Sequence, residues 1–199
     1  MPLRRRNPVG FSLIELLIVI VIMGILAGLV MPSSSPSTYE QLRSAAQVLR
    51  NDLAYCRSLA VSNNSVYWIK FDGKENRYTL EHTGIPVGLD ALPDSPFRER
   101  GNAPDKQIVD LDELPNMGLT VRLAAAGTTG AVTQRVDNVE FGPLGETTRS
   151  RPTTIWLAAG QDLETRYITL TVNPVTGLTE VSDCMVSGPP GSLLLEQAP

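Results

Sequence analysis

The hydrophobic positions of this chain follow two different patterns, and the change lies near residue 31. Residues 11–31, FSLIELLIVIVIMGILAGLVM, form an apolar run in which Glu15 is the only charged residue. As an α-helix this run is about 31 Å long, which matches the hydrocarbon core of a bilayer. It has no polar face, unlike a helix that packs on the core of a soluble protein. The pattern predicts a transmembrane helix over 11–31.

The residues on either side of this run indicate its orientation. Arg4, Arg5 and Arg6 precede it, whereas residues 32–41 contain no lysine or arginine. The positive-inside rule therefore places the N-terminus in the cytoplasm and the rest of the chain outside it. A secretory signal peptide is the main alternative, but it has a shorter apolar core, about 7 to 15 residues, and a small-residue cleavage site. Residues 27–32, AGLVMP, offer no convincing site, so a single-span anchor is preferred.

A second helical pattern follows a proline-rich break. Pro32 and Pro36 each remove a helical backbone donor, so the helix is expected to be broken between them. Ser37 and Glu40 form the signature of a capping box, which predicts that a helix restarts there. Its apolar positions recur at spacings of three and four: Leu42, Ala45, Ala46, Leu49, Leu53, Cys56 and Ala60. Asp52 lies elsewhere on the helical wheel. The pattern predicts a linker and amphipathic helix over 32–64.

Beyond residue 64 the pattern changes to short β-rich runs separated by turns. Strands are predicted over 65–72, 77–82, 117–123, 136–141, 153–159, 165–173 and 177–183. Turns at 73–76 and 174–177 join the first two and the last two strands as hairpins. Short strands with local turns predict an antiparallel β domain over 65–199, which covers the apolar stripe of the helix. Residues 83–105, with four prolines, are predicted to be a long surface loop and a candidate partner contact.

Composition and charge exclude several classes of protein. The chain has 199 residues, which is enough for one domain with an appendage, and its 42% hydrophobic content is too high for a disordered protein. The net charge of −4 argues against nucleic acid as a partner, because duplex binding requires a dense basic face. One histidine and two cysteines exclude the common multi-histidine and four-thiolate zinc sites. No metal and no cofactor is expected.

No motif indicates an enzyme, and no catalytic residue is predicted. The sequence contains no nucleophile elbow, phosphate loop or dinucleotide fingerprint. His82 is interpreted as a surface or strand-end histidine. Asp105, Asp110, Asp112 and Glu113 form an acidic cluster, but they lack the spacing and central glycine of a calcium loop. A solvated acidic segment is therefore preferred to a calcium site.

The start of the apolar run resembles a known processing site. The sequence Gly10-Phe11-Ser12-Leu13-Ile14-Glu15 follows a short basic leader, and it is similar to the cleavage site of type IV prepilins and type II secretion pseudopilins. The resemblance implies that residues 1–10 are a leader peptide, that a prepilin peptidase cleaves between Gly10 and Phe11, and that Phe11 is then N-methylated. Losing ten residues, three of them arginine, leaves 189 residues and a net charge of −7.

Glu15 is the residue that this resemblance connects with assembly. A carboxylate within an apolar span is costly and is treated as functional by default. When the apolar stems of a filament pack side by side, the terminal amine of a neighbouring Phe11 is its natural partner. Glu15 is therefore predicted to favour the correct axial register of the assembled subunits.

A second resemblance lies in the C-terminal half of the chain. Residues 141–145, FGPLG, are followed by a strand over 153–159 and by the run 166–170, RYITL, that closes at Gly177. This order is similar to that of the GspH and FimT family of minor pseudopilins and minor pilins. The turn is also explained locally, because Pro143 sets a turn and the following glycine supplies a positive φ.

Together the two resemblances imply an α+β, pilin-like fold. A long N-terminal helix, first transmembrane and then amphipathic, would be broken near Pro32 to Pro36 and packed on an antiparallel β-sheet or β-sandwich domain. The implied function is that of a minor pseudopilin, a structural subunit of the type II secretion pseudopilus, assembled through its N-terminal helix for protein export. The implied location is the inner membrane, crossed once, with the N-terminus cytoplasmic and the C-terminal domain periplasmic.

The implied partners are a prepilin peptidase, other pseudopilins or pilins, and the inner-membrane assembly platform. The alternative is a minor type IV pilin with a role in pilus assembly, adhesion or DNA uptake. The acidic charge and the absence of lysine and arginine from residues 185–199 argue against DNA capture.

Cys56 and Cys184 leave two interpretations open. In an oxidising periplasm a disulfide between them would join the amphipathic helix to the end of the last strand. Alternatively, Cys56 lies on the apolar face of its helix and is simply a core residue.

Overall fold

Two compact units make up the chain, Met1–Ser35 and Pro36–Pro199. The computed structural model describes residues 12–30, 37–93, 104–114, 121–130 and 133–195 of them. The predicted cleavage site at Gly10 and Phe11 falls outside these residues, as does the predicted helix break between Pro32 and Pro36.

The first unit contains helix α1, Leu13–Val30. Apolar residues surround the helix on all sides, and Glu15 is its only charged residue. The side chains from Leu13 to Leu26 are all exposed. Among the residues that the structure describes, no helix combines the length and the apolar character needed to cross a membrane.

The second unit begins with helix α2, Thr38–Ser62, whose start the capping box predicted. The backbone N–H of Glu40 donates to Ser37 Oγ at 3.3 Å, and that of Ser37 donates to Glu40 Oε2 at 3.0 Å. These two bonds satisfy donors that the first turn of a helix leaves without partners. All seven residues of the predicted apolar stripe are buried, so the amphipathic helix is confirmed. Asp52 is buried with them, contrary to the expectation from the helical wheel.

Nine strands follow within the described residues: β1 (Tyr67–Asp72), β2 (Arg77–His82), β3 (Lys106–Asp110), β4 (Val121–Thr128), β5 (Gln134–Arg135), β6 (Asn138–Phe141), β7 (Thr153–Ala159), β8 (Arg166–Val172) and β9 (Thr179–Val181). They form two antiparallel sheets. The four-stranded sheet has the order β3-β2-β1-β6, and the five-stranded sheet has the order β5-β4-β7-β8-β9. The β1–β2 and β8–β9 hairpins confirm the two predicted turns.

Helix α2 packs against strands of both sheets and covers their shared core. Strand β1 alternates, with Tyr67, Ile69 and Phe71 facing inward, as expected of a sheet with one face on a core. Strand β7 lies in the middle of its sheet and is buried along its whole length. The antiparallel α+β fold class predicted from the sequence is therefore confirmed.

Three strands differ from the prediction: β3 and the two-residue strand β5 were not predicted, and β4 is longer than expected. Lys106–Asp110 is the edge strand β3; it follows the predicted loop 83–105 and lies where a solvated acidic segment was expected. This strand was missed because its buried face consists of the polar Gln107 and the apolar Val109, which is not an alternation of apolar and polar residues. It is held to β2 by backbone pairing. Strand β4 extends to Thr128, beyond the predicted end at residue 123, because burial compensates for its run of alanines. The predicted start at 117–120 lies outside the described residues.

Candidate functional site

The helix that carries Glu15 begins directly beside the predicted cleavage site. The backbone N–H groups of Glu15 and Leu16 donate to Ser12 O at 3.0 and 3.2 Å, which places Glu15 in the first turn of α1. Its side chain is exposed. A carboxylate in this position is favoured by the N-terminal end of the helix dipole. If the chain begins at Phe11, Glu15 lies about one helical turn from the terminal amine.

His82 is the last residue of β2, which agrees with the strand-end alternative, and its side chain is fully buried, which excludes the surface alternative. Ser65 Oγ is 2.7 Å from His82 Nε2, and Asp90 Oδ1 is 2.6 Å from His82 Nδ1. The three side chains thus have the order of a Ser-His-Asp catalytic triad. Sequence reasoning missed this cluster because the three residues come from separate elements.

The surroundings of Ser65 oppose a nucleophilic role. The residue is only 5% exposed, and a Cβ placed on Gly84 would lie 2.1 Å from Ser65 Oγ. The backbone at Gly84 therefore packs directly on the hydroxyl and leaves no room for a substrate carbonyl. The Ser65–His82–Asp90 hydrogen bonds instead connect the residues after α2, the end of β2 and the loop that carries Asp90.

A groove lined by three arginines is a second feature that the sequence did not reveal. Arg135, Arg149 and Arg151 line a groove of about 690 Å³ beside β5 and the segment before β7. Arg149 donates from Nη1 to Asn138 O at 2.8 Å and from Nη2 to Asn138 Oδ1, and burial lowers the pKa of its guanidinium. Arg135 donates to Leu195 O at 3.4 Å. Asp137 is the one acidic residue in the lining, so the groove has a net positive charge on a chain that is acidic overall.

Both cysteines are free thiols in the structure. Cys56 is fully buried on α2, and this burial raises the pKa of its thiol well above the ordinary value. Cys184 is half-buried, packs against the same core cluster and also lines a groove of about 460 Å³ between α2 and β9. The disulfide between them stays a prediction for the oxidised protein.

The acidic residues around β3 form local hydrogen bonds. Asp110 Oδ1 accepts a bond from the backbone N–H of Asp112 at 2.8 Å, and Asp112 Oδ1 accepts one from Asn76 Nδ2 at 2.7 Å. Within the part of the chain that the structure describes, no group of acidic, histidine and cysteine side chains could hold a metal ion.

Comparison with known proteins identifies the N-terminal motif and the fold. The family model described as the prokaryotic N-terminal methylation motif matches residues 10–31. No curated protein sequence matches the chain.

Similar solved structures are pilin-like subunits. The minor pseudopilin EpsH of the type II secretion system of Vibrio cholerae has a TM-score of 0.51 at 14% identity, and the comparison covers 73% of this chain and 95% of that chain. A second EpsH structure has a TM-score of 0.48 at 14% identity and covers 71% and 94%. The type IV minor pilin FimU of Pseudomonas aeruginosa has a TM-score of 0.42 at 19% identity and covers 75% and 98%.

The methylation motif at residues 10–31 and the EpsH-like fold come from different parts of the chain and agree with each other. Together they support the resemblance of this chain to type IV prepilins and pseudopilins: the motif is that of the N-terminal methylation family, and the fold is pilin-like.

Proposed function

We propose that the chain is a minor pseudopilin, a structural subunit of the type II secretion pseudopilus. The observation that carries the proposal is the methylation motif at residues 10–31, placed on an apolar helix and followed by a unit with a pilin-like fold. In this function the chain is a building block of a filament, and it catalyses no reaction.

The order of the motif and the apolar helix explains why processing prepares the chain for assembly. A prepilin peptidase that cleaves between Gly10 and Phe11 removes the basic leader and leaves the whole of α1 on the product. The apolar residues on every side of α1 require a cover of lipid or of other apolar helices. We therefore place the mature chain in the inner membrane, with residues 11–31 as its single span and residues 65–199 in the periplasm.

Glu15 supplies the assembly contact in this proposal. An unpaired carboxylate among apolar helices is heavily penalised, so it stabilises only those packings that bring a cation to it. The terminal amine of Phe11 on a neighbouring subunit is such a cation. Other pseudopilins and the inner-membrane assembly platform are the partners that this contact implies.

A minor type IV pilin is the second candidate, and the arginine groove is the observation in its favour. Capture of an anionic partner requires concentrated positive charge, and Arg135, Arg149 and Arg151 line one groove. The overall acidic charge opposes the same process, because it repels a polyanion at long range. We therefore prefer the secretion function.

Intact-mass measurement after coexpression with a prepilin peptidase tests the processing step. We expect the chain to lose ten residues and to gain one methyl group on Phe11. Gly10→Ala should strongly impair the cleavage, whereas Gly24→Ala is a matched control, since a Cβ at Gly24 meets nothing within 4 Å. An N-terminus that remains Met1, or one that begins beyond Met31, would contradict the proposal.

Copurification from native membranes separates the two candidate functions. A type II secretion subunit should copurify with the other pseudopilins, and its loss should abolish protein export while pili remain. Loss of pili with normal export would instead favour the minor pilin.

A further inference from the structure

Three large apolar side chains stand exposed on two adjoining turns of the second unit. Leu144 is 85% exposed on the turn after β6, and Val175 and Leu178 are 78% and 58% exposed on the turn between β8 and β9. Tight turns ordinarily carry small or polar residues. Contiguous apolar side chains at the surface mark sites of interaction with other proteins.

The two turns are held together, so these side chains have fixed positions. A Cβ at Gly177, where φ is +63°, would lie 2.0 Å from Gly145 O, which shows how closely the turns approach. Arg57 of α2 reaches both turns, and its Nε donates to Gly145 O at 3.1 Å and to Thr176 O at 2.8 Å.

These bonds also orient the guanidinium of Arg57. Among the residues that the structure describes, Nη1 and Nη2 of Arg57 have no acceptor, and the side chain is half-exposed. Glu146 lies on the first of the two turns, and within the described residues it forms no ion pair with Arg57. A guanidinium fork fixed in this way is suited to a carboxylate. We name Arg57, Leu144, Val175 and Leu178 the Arg57 patch.

The complementary surface lies on the same chain, in the connection between β7 and β8. Leu163 is 95% exposed in a short 3₁₀ turn, and the exposed residues Asp162 and Glu164 stand on either side of it. The turn is closed by its own backbone, because Glu164 N–H donates to Gln161 O at 3.1 Å and Thr165 N–H donates to Asp162 O at 3.2 Å. We name Asp162, Leu163 and Glu164 the Leu163 knob.

The charges of the knob and the patch are opposite in sign. It presents one large apolar side chain between two carboxylates, whereas the patch presents one guanidinium among three apolar side chains. Arg166 lies at the base of the knob, where its Nη1 donates to Leu163 O and Thr165 O, and its charge offsets part of the acidic charge. The knob has two carboxylates against this one cation.

The knob and the patch lie at opposite ends of strand β8. The knob immediately precedes Arg166, the first residue of the strand, and the β8–β9 turn of the patch follows Val172, the last. Seven extended residues separate the two ends by about 24 Å. A knob therefore cannot reach the patch of its own chain, but it can reach that of another copy.

We propose that the Leu163 knob of one copy docks on the Arg57 patch of a second copy of this chain. The contact joins two different surfaces, so it is heterologous, and each added copy leaves one free knob and one free patch. Such contacts build rings or open rows of subunits instead of two-fold dimers. The proposal goes beyond the proposed function and does not depend on it, because both surfaces lie in the second unit.

A photo-crosslinking amino acid at position 163 of the full-length chain, coexpressed with a copy that carries a different tag, tests the docking. We expect crosslinks between the two tagged copies that map to residues 142–146 or 173–178. The same crosslinker at Ile85, which is 96% exposed, is the matched control and should give no such product. A crosslink that joins position 163 to position 163, or that captures only other proteins, would overturn the proposal.

Two substitutions test the chemistry of the contact without disturbing the bonds of Arg57. Leu144→Ser and Glu164→Lys should each lower the crosslinking yield at least about fivefold, as expected for residues at the centre of an interface. Val186→Ser and Glu180→Lys are matched controls at other exposed positions and should leave the yield unchanged. Equal yields for all four variants would refute the docking. Leader cleavage measured on the same samples shows separately whether the proposed function holds.

Discussion

The phenol of Tyr78 donates a hydrogen bond of 2.5 Å to Asp52 Oδ2. This bond joins helix α2 to β2, an inner strand of the four-stranded sheet. Both side chains are 1% exposed. A buried carboxylate is tolerated where protein donors replace the water that it has lost. This bond explains how an aspartate can lie inside the apolar interface between helix and sheets.

Removal of the phenol should therefore destabilise the fold. We expect Tyr78→Phe to lower the free energy of unfolding by about 1 to 3 kcal/mol, because it takes a donor from a buried carboxylate. Denaturant unfolding of the full chain in detergent, followed by the fluorescence of Trp68 and Trp156, measures the change. Tyr39→Phe, at a position 44% exposed, is the control and should change the stability much less.

The stability should also fall at alkaline pH. Burial raises the pKa of the Cys56 thiol above 9.0 and that of the Tyr78 phenol above 10.0, their ordinary values. Well below pH 9 both groups are protonated in both states, so they add no pH dependence there. Above these values the unfolded chain releases protons that the folded chain keeps, and stability should fall by about 1.4 kcal/mol per pH unit for each group.

Unfolding curves from pH 7 to pH 11 measure this loss. Tyr78→Phe and Cys56→Ala should each make the decline less steep, because each removes one of the two groups. A decline as steep in both variants as in the wild type would show that other groups are responsible.

The two cysteines should react at very different rates in the reduced protein. We expect a maleimide to label the half-buried Cys184 in the native chain, whereas Cys56 reacts only after unfolding, since its thiol is covered and its pKa is raised. Mass spectrometry of the labelled peptides gives the two rates. If protein isolated from the periplasm without reductant labels at neither position, even after unfolding, the two cysteines are paired.

Gly177 should tolerate no side chain. Gly177→Ala places a Cβ 2.0 Å from Gly145 O in a residue whose φ is +63°, so we expect a loss of at least about 2 kcal/mol in unfolding free energy. Gly88→Ala is the matched control, since its Cβ would meet nothing within 4 Å. Thermal unfolding of the two variants decides the question, and similar melting temperatures would contradict the close approach of the two turns.

Substitution of Glu15 should separate processing from assembly. We expect Glu15→Ala to be cleaved and inserted normally but to crosslink less with neighbouring subunits, because the carboxylate that pairs with a neighbour's amine is gone. Glu15→Asp, which keeps the charge, should retain part of the crosslinking. Wild-type levels of crosslinking and protein export in Glu15→Ala would show that the residue has no role in assembly.

Local patterns were sufficient to predict the helices and most strands. The capping box at Ser37 and Glu40, the apolar stripe of α2 and the two hairpin turns all depend on residues close together in the chain. The processing motif is also local, because a peptidase reads a short segment. The sequence alone therefore determined the family resemblance, the order of most of the elements and the α+β class.

The tertiary structure decided which distant residues meet. The burial of Asp52 depends on Tyr78, which is 26 positions away, and the burial of His82 depends on Ser65, 17 positions before it. Strand β3 forms because the edge of β2 offers backbone partners, which no side-chain pattern records. The Arg57 patch joins α2 to two turns that lie 88 and 119 positions further along the chain. Such contacts follow from the packing of whole elements, so no local pattern could predict them.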